Sequence, residues 1–516
     1  MDHNRAFLQF SGFLFTSLFI IACGGGTTPN PPPGENEDPG NTSPPASYTL
    51  TVTNSTGGSV TGQGINCGND CSETYQSGQT VTLTSSPQSG YTFGGWNNNC
   101  GTSSSCTITM TTNTQVAPSF SPVNNNTQCN DANVLCVDDT AGPTQEYSTI
   151  QSAVNNASPG DTVLVHDGNY AGFRVNISGT SQSPITIKAQ SGGANIISEE
   201  SQSGTDNIYV SNSNYIIIEG FNVSGASVYG IGFHDASANS PMTGIQVRNN
   251  WVSQSGKDNI YLSQVANSVI ENNTLFSAVS HGIYLSNAGS DNTILRSNNI
   301  YNNGGSGIHF NGDLSVGGDG LQSALLVEKN RIYNNSNNGM NMDGVQSSTI
   351  QNNLIYNNGR HGIRGYAIDG AQGPRNFIIN NNSLYNNSGW AIKFSNDLGG
   401  HNVFNNILMS NSGSIVFGNT GFTSGYNLVN DAFSLDSENT VITFSNWSSN
   451  GYGSGSSIQS AVDIFQNTNP NSVDLHLKLN SPAINSGIAN FNGTAAPGFD
   501  IDGQQRNNVD IGAYRY

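Results

Sequence analysis

Short runs of alternating apolar and polar residues repeat along the middle of the chain. Two examples are Ile283-Tyr284-Leu285-Ser286 and Ile308-His309-Phe310-Asn311. Alternation with a period of two predicts strands, with Ile283 and Leu285 inside and Tyr284 and Ser286 outside. Each run begins at a related dipeptide, and these are Gly230-Ile231, Asn259-Ile260, Gly282-Ile283, Gly307-Ile308, Gly339-Met340, Gly362-Ile363 and Ala391-Ile392.

An asparagine recurs with the same rhythm, two residues before an apolar residue. The seven positions are Asn250, Asn273, Asn298, Asn330, Asn353, Asn382 and Asn406. The shortest step, from Asn250 to Asn273, is 23 residues, a period typical of solenoids. No helical period separates the strands, so each turn must climb by one strand spacing. We predict an all-β chain that winds as a right-handed parallel β-helix from residue 146, with a terminal cap ending at residue 516.

We interpret these asparagines as structural residues. Asparagine tolerates left-handed backbone angles, and its amide can bond to the asparagine one coil above and below. Stacked amides of this kind would satisfy the polar groups of buried turns.

The N-terminus predicts export. Arg5 precedes an apolar run over residues 13–22, which is followed by Cys23. The run is too short to span a bilayer and has the form of a secretory signal. Ile20-Ile21-Ala22-Cys23 resembles a bacterial lipobox, which implies cleavage before Cys23 and lipidation of its thiol; an ordinary signal peptide with a chance cysteine is the alternative. By the same resemblance, Gly24 in place of an aspartate implies the outer membrane.

Composition indicates how the N-terminal segments are organised and which partners the protein could bind. Residues 1–22 are the expected signal peptide, and residues 23–46 form a Pro- and Gly-rich tether that would touch the membrane only through its lipid. The net charge of −19 and the lack of a basic stripe argue against nucleic acid. A polyanionic substrate would need local Arg or Lys side chains, or a cation. We expect a monomer.

Six further cysteines predict disulfides. They are Cys67, Cys71, Cys100, Cys106, Cys129 and Cys136. An even number in an exported chain favours disulfides over a zinc site. Cys129 and Cys136 lie close in the sequence and are predicted to pair with each other. For the other four cysteines, pairing between sequence neighbours and pairing across the two groups are both possible.

A small β domain is expected over residues 47–121, followed by a linker over residues 122–145. Strands are predicted at 48–52, 80–84 and 107–110. Gly57-Gly58-Ser59-Val60 and Phe93-Gly94-Gly95-Trp96, with the cysteines, resemble the divergent internalin-type B-repeat of bacterial surface proteins. The resemblance implies a spacer or adhesive module. Trp96 could be a sugar platform, but a core position is the prediction.

The two ends of the solenoid have their own signatures. Helical spacing of Ile150 and Val154 precedes Pro159-Gly160-Asp161 and Ser183-Pro184-Ile185. This segment resembles the opening of pectate-lyase-like β-helix proteins, in which a short helix plugs the first coil. At the other end, three aspartates could hold calcium or could form a capping turn with Arg506. They are Asp500, Asp502 and Asp510.

When the runs are aligned on the Gly-Ile dipeptides, the candidate catalytic and binding side chains lie on one outer face. The first column is Tyr261, Tyr284, His309, Asn341, Arg364 and Lys393, and the second is Ser263, Ser286, Asn311, Asp343, Tyr366 and Ser395. Neighbours in a column would lie roughly 4.8 Å apart. The face predicts a polysaccharide groove with Tyr261, Asn311, Asn341 and Tyr366 as binding residues. His281 and His361, at the strand entries, are either site residues or turn stabilisers.

Two chemistries compete for this groove. In β-elimination of a uronic-acid polymer, Arg364 or Lys393, with or without Ca²⁺, would neutralise the carboxylate, His309 would take the proton, and Tyr284 would protonate the leaving oxygen. In hydrolysis, two of Asp313, Asp319 and Asp343 would act as acid and base. Asp313 and Asp319 are also candidate calcium ligands, and turn formation is their third possible role. The family resemblance favours a lyase, and a non-catalytic glycan-binding adhesin is the third possibility.

Overall fold

The computed structural model describes residues 46–53, 57–67, 70–88, 91–96, 104–122, 129, 131–140, 146–202 and 204–516. The predicted signal peptide, Cys23, the tether up to residue 45 and Cys100 lie outside these residues. The chain divides into two compact units, Met1–Asn125 and Asn126–Tyr516. Within the described ranges, no helix combines the length and apolarity needed to cross a bilayer.

The first unit is a small β domain. Its strands are Ser47–Val52, Gly58–Gly62, Ile65–Cys67, Ser72–Gln76, Thr80–Pro87, Tyr91–Trp96, Ser105–Thr109, Thr114–Val116 and Pro118–Pro122. Alternation in Thr80–Pro87 buries Val81 and Leu83, as period-2 patterning requires. Trp96 is 7% exposed and belongs to the same core, so the core prediction for this residue is confirmed. Cys67 pairs locally with Cys71.

The second unit is a parallel β-helix with three long sheets. Sheet A contains Val134–Val137, Thr162–Val165, Ile185–Ala189, Ile216–Glu219, Gln246–Arg248, Val269–Glu271, Ile294–Arg296, Leu326–Glu328, Thr349–Gln351, Ile378–Asn380, Asn402–Phe404 and Thr423–Gly425. Sheet B contains Gly168–Ala171, Ala194–Ser198, Asn222–Ser224, Trp251–Ser253, Thr274–Phe276, Asn299–Tyr301, Arg331–Tyr333, Leu354–Tyr356, Ser383–Tyr385, Ile407–Met409, Leu428–Val429 and Ser457–Ile458.

Sheet C holds the runs singled out in the sequence. Its strands are Phe173–Val175, Ile208–Ser211, Ile231–His234, Ile260–Ser263, Ile283–Ser286, Ile308–Asn311, Met340–Asp343, Ile363–Tyr366, Trp390–Phe394, Gly413–Val416 and Phe433–Ser434. The apolar residues of each strand, such as Ile283 and Leu285, are fully buried in one continuous core. The predicted fold and coil register are therefore confirmed.

The start of the β-helix differs from the prediction in one respect. The helix Ile150–Val154 packs its Ile150, Ala153 and Val154 into the core, as expected for a plug. However, the strand Val134–Val137 already pairs in parallel with Thr162–Val165, so the first strand lies inside the segment predicted to be a linker. The Cys129–Cys136 disulfide joins this strand, which contains Cys136, to the segment before it.

The asparagine ladder forms as predicted and is longer. Each amide Nδ2 donates to the next Oδ1 at 2.9–3.1 Å, and the ladder ends at Asn427 rather than at Asn406. The left-handed angles belong to the preceding residues, for example Asn249 and Asn272, because the turn places its left-handed position there. A second ladder, unpredicted, joins Asn303, Asn335, Asn358 and Asn387.

A C-terminal cap completes the second unit. It contains the helices Phe444–Ser449 and Ala461–Ile464 and the strand pairs Phe465–Asn467 with Asp474–Leu477 and Asn490–Phe491 with Thr494–Ala495. Arg506 is buried and donates to four backbone carbonyls between residues 510 and 514. Asp500 and Asp510 accept backbone N–H groups, and Asp502 pairs with Arg331. The capping interpretation therefore holds, although Arg506 bonds to carbonyl oxygens and not to the aspartates.

Candidate functional site

One column of side chains runs across the outer face of sheet C, and we call it the stripe. Strand pairing places its members in one register, and from the first coil onward they are Arg174, Tyr209, Gly232, Tyr261, Tyr284, His309, Asn341, Arg364 and Lys393. The six predicted residues of the first column therefore do lie side by side. From Tyr209 to Lys393 the stripe crosses seven strand steps, or about 34 Å.

Tyr284, His309 and Asn341 form the centre of the distal half of the stripe. The rings of Tyr284 and His309 lie 4.7 Å apart, and Asn311 donates to the Tyr284 hydroxyl at 3.3 Å. Nδ1 of His309 is 2.9 Å from the Asn341 amide nitrogen and 3.2 Å from the Asn341 carbonyl oxygen. Nδ1 of His309 accepts from the Asn341 side-chain amide or, in the other tautomer, donates to the Asn341 backbone carbonyl, and within the described chain Nε2 has no protein partner.

The histidines of this half are held neutral. Burial, aided by nearby positive charge, lowers the pKa of His309 to about 4 and that of His361 to about 4. Burial beside His309 lowers the pKa of His281 to about 3. Nδ1 of His281 accepts the Ser306 N–H at 2.9 Å, and Nδ1 of His361 accepts the Trp390 N–H at 3.0 Å. Both therefore stabilise turns, one of the two roles left open for them.

The two predicted cations differ in their availability. Lys393 forms an ion pair with Glu438, which also accepts the Trp390 indole N–H at 2.6 Å. Although burial opposes it, these two donors hold the pKa of the Glu438 carboxyl below its usual value. Arg364 lies 4.4 Å above the Tyr366 ring, and no described carboxylate is within ion-pair distance of it. Arg364 is therefore the cation that can receive an anionic ligand.

The second predicted column is not a solvent-facing surface. Ser286, Asn311, Asp343 and Tyr366 are 3%, 7%, 2% and 8% exposed, because the chain turns a corner at the ends of these strands. The Asp343 carboxylate accepts the N–H groups of Ile368, Asp369 and Gly370 at 2.9–3.1 Å. Asp343 thus anchors the loop after Tyr366, which corrects its assignment as a catalytic acid or base.

The residues predicted for calcium each use one carboxylate oxygen in a turn. Asp313 caps the short 3₁₀ turn Leu314–Val316 by accepting the Ser315 N–H at 2.7 Å, and Asp319 accepts the Leu321 N–H at 3.0 Å. Over the described ranges, the one cluster of three potential ligands is Cys129, Cys136 and His166, and its sulfur atoms form a disulfide. Asp313 and Asp319 are turn formers.

A His–Asp pair in the proximal half of the stripe was missed by the sequence reasoning. Nε2 of His234 lies 2.6 Å from Oδ2 of Asp206, whose side chain is 1% exposed, whereas that of His234 is 18% exposed. Asp206 occupies the strand-entry position that His281 and His361 occupy in later coils. Extending that column backward along the sequence would have exposed the pair.

Aromatic rings surround this pair. The Tyr209 ring stacks on His234 at 4.3 Å, and Tyr229 stacks on Tyr261 at 4.2 Å. Lys257 reaches the Tyr229 hydroxyl at 3.2 Å and, in the described chain, has no carboxylate within ion-pair distance. Burial raises the pKa of the Tyr209 hydroxyl to about 12 and raises that of Tyr229 further. Both phenols are therefore protonated at neutral pH.

Three family descriptions match segments of this chain. Residues 48–124 match "Divergent InlB B-repeat domain", residues 154–316 match "Periplasmic copper-binding protein (NosD)", and residues 294–433 match "Right handed beta helix region". No curated protein matches the chain in sequence.

Among solved structures, pectate lyase Pel9A is similar at 14% identity and a TM-score of 0.50, over 74% of this chain and 96% of that chain. An alginate lyase from Paenibacillus sp. str. FPU-7 is 18% identical over 54% of this chain and 94% of its own, with a TM-score of 0.37. The A-module of the Azotobacter vinelandii mannuronan C-5 epimerase AlgE6 is 17% identical over 60% and 94%, with a TM-score of 0.38.

Fold and comparisons together define the class of this protein. It has a right-handed parallel β-helix fold, which it shares with pectate lyase Pel9A. Its N-terminal domain is similar to the divergent InlB B-repeat domain.

Proposed function

We propose that the protein cleaves a uronic-acid polysaccharide by β-elimination in the groove along the stripe. The observation that supports this proposal is the stripe itself, in which a neutral histidine, phenols and a guanidinium without a described carboxylate partner share one face of sheet C. The polymer lies across the strands, so that successive sugar residues meet successive coils. The groove offers Tyr261 and the ring of Tyr284 as contacts, whereas the predicted contact Asn341 is 8% exposed and its amide is bonded to Asn338, His309 and Tyr366.

In this proposal, Arg364 binds the carboxylate of the reacting sugar and stabilises the charge that develops on it. His309, in the tautomer whose Nδ1–H donates to the Asn341 backbone carbonyl at 3.2 Å, takes the proton from the adjacent carbon through Nε2, and the C–H electron pair forms the new C=C bond. The bond from the next carbon to the glycosidic oxygen breaks, and that oxygen takes the Tyr284 hydroxyl proton. Because its pKa is lowered to about 4, His309 is unprotonated at neutral pH and ready to accept a proton.

The predicted hydrolytic pair has less support. Asp343 is occupied by three backbone N–H groups, and Asp313 and Asp319 each use one oxygen to cap a turn. A pectate lyase shares the fold, which agrees with elimination. Arg364 can supply the positive charge from the chain's own residues.

A panel of pectate, alginate and chondroitin, with and without EDTA, tests the reaction. Elimination generates an unsaturated uronate that absorbs in the ultraviolet, and we expect this absorbance to rise for at least one polymer. New reducing ends without a rise in absorbance would show that the reaction is hydrolysis and not elimination. Binding without cleavage would make the protein an adhesin. Within elimination, His309→Ala should lower kcat by about a hundredfold or more with the fold intact, and a His309→Ala enzyme with the kcat of the wild type would refute the assignment.

We also propose that the protein acts at the outer membrane as a monomer anchored by a lipid on Cys23. The lipobox-like residues before Cys23 support this location. Metabolic labelling with a radioactive fatty acid should label the wild type and not Cys23→Ser. Equal labelling of both would contradict the anchor.

A further inference from the structure

We infer that His234 and Asp206 form a second acid–base centre in this groove, with Tyr261 as proton donor and Lys257 as the partner of a uronate carboxylate. The inference rests on the proposed function, since it concerns the same polymer and the same kind of step. It adds a place of proton transfer that the sequence did not reveal.

The hydrogen bond between the two side chains sets the tautomer of His234. Asp206 is fully buried, and its Oδ2 lies 2.6 Å from Nε2 of His234. The proton therefore lies on Nε2, which leaves the Nδ1 lone pair free. In the described chain Nδ1 has no protein partner, and it is not among the buried unpaired atoms. A carboxylate that orients an imidazole and stabilises its cation is the usual support of a general base.

Gly232 is the residue that lets the pair form. It occupies the stripe position between Tyr209 and Tyr261, where every neighbouring coil places an outward side chain. A Cβ at this position would lie 2.1 Å from Oδ2 of Asp206 and 2.4 Å from Nε2 of His234. The missing side chain thus creates the notch in which His234 turns back from the strand end to meet Asp206. A notch of this kind is not required by the fold.

The surrounding groups complete the set that elimination requires. The rings of Tyr261 and His234 are 5.3 Å apart, and the Tyr261 hydroxyl has no protein partner in the described chain. Lys257 is exposed and free of ion pairs there, so it can bind a carboxylate. Nδ1 takes the proton on the carbon beside that carboxylate, the C–H electron pair becomes the C=C bond, and the glycosidic oxygen leaves with the Tyr261 proton.

This centre differs from the distal one in its support and its position. His309 has an amide partner, whereas His234 has a buried carboxylate. Three strand steps, roughly 14 Å, separate Gly232 from His309 along the stripe. The two histidines therefore contact different sugar residues of one bound polymer.

Turnover by variants of the full-length protein tests the inference. In a His309→Ala background, where only the second centre can act, His234→Gln and Asp206→Asn should each lower the remaining kcat by about a hundredfold or more, the usual contribution of a general base, with KM within about threefold of that of His309→Ala alone. Gly232→Ala, which only adds the clashing methyl group, should lower kcat in the same way. His476→Gln is the matched control, because His476 pairs with Asp474 at 2.6 Å on the exposed cap and should turn over normally. Circular dichroism melting checks that each variant folds.

Two further outcomes separate this inference from the proposed function. If His309→Ala lowers kcat while His234→Gln and Asp206→Asn leave the remaining kcat of His309→Ala unchanged, elimination stands and the second centre is wrong. If the wild type cleaves no polymer, ¹⁵N NMR of the histidine rings decides. A uronate tetrasaccharide should then shift the His234 signals and not those of His476, and Asp206→Asn should change the tautomer of His234. Unchanged His234 signals would overturn the inference.

Discussion

Removal of one amide from the asparagine ladder should destabilise the β-helix strongly. Asn330 is fully buried. Its Nδ2 donates to the Leu295 carbonyl at 2.9 Å and to Oδ1 of Asn353 at 3.0 Å. Its Oδ1 accepts the backbone N–H and the amide of Asn298, both at 3.0 Å. Asn330→Ala therefore removes four hydrogen bonds at once.

The cost follows from the groups that are left behind. The Leu295 carbonyl and the Asn298 N–H lose these partners inside the coil stack, where each unsatisfied group costs about 1–3 kcal/mol. We expect Asn330→Ala to lower the free energy of unfolding by about 3–6 kcal/mol when the loss of the amide pairs is included. Asn411 is the control, because its side chain is exposed and has no hydrogen bond in the described chain. Asn411→Ala should change stability by less than about 0.5 kcal/mol.

Urea unfolding followed by circular dichroism and by tryptophan fluorescence measures both variants against the wild type. Asn298→Ala combined with Asn330→Ala should destabilise less than the sum of the single changes, because both remove the same bond. If Asn330→Ala unfolds at the same urea concentration as Asn411→Ala, the ladder does not stabilise the coils and our interpretation of the repeat is wrong.

Three other predictions concern the groove and its surroundings. Glu438→Gln should free Lys393 for a substrate carboxylate and lower KM for a polyanionic polymer, most clearly at low salt because the added charge is screened. Asp343→Ala should release the loop after Tyr366, seen as faster proteolysis within residues 367–374 at a temperature where circular dichroism shows the β-helix still folded. The pKa of His281, about 3, and of His309, about 4, lie below the usual value near 6.5. Between these pKa values the unfolded chain binds more protons than the folded chain. The free energy of unfolding should therefore be highest above about pH 6.5 and should fall as the pH is lowered toward about 3.

Each of these has a result that would contradict it. Asp463→Asn, which removes one negative charge from the cap, is the control for Glu438→Gln. If both variants have the KM of the wild type, the Lys393 ion pair does not restrict binding. Cleavage of the Asp343→Ala loop at the wild-type rate would show that the backbone bonds to the carboxylate do not hold it. A melting temperature that stays constant from pH 7 to pH 4, by scanning calorimetry, would mean that the histidines are not buried in neutral form.

The regular features of the chain were predictable because they depend on local patterning. The alternation at Ile283-Tyr284-Leu285-Ser286 fixes which residues face the core, and the Gly-Ile dipeptides fix the register between coils. The stripe from Tyr261 to Lys393 follows from these two facts alone. The plug helix was predictable from the spacing of Ile150 and Val154.

The features that the sequence did not predict depend on contacts outside the repeating pattern. The partner of Lys393 is Glu438, which lies 45 residues further along the chain in a loop whose path the period does not set. Asp343 lies at a strand end, where a corner turns the side chain toward the following loop instead of toward solvent. His234 folds back to Asp206 only because Gly232 leaves room for it. Side-chain direction at strand ends and loop paths are thus set by tertiary packing.

A structure of the protein with a bound uronate oligosaccharide tests the central claim most directly. We predict that the sugar chain lies across the strands of sheet C, between His234 and Lys393, with a carboxylate on Arg364 or Lys257. An oligosaccharide bound on sheet A or sheet B, with the stripe left uncovered, would contradict it.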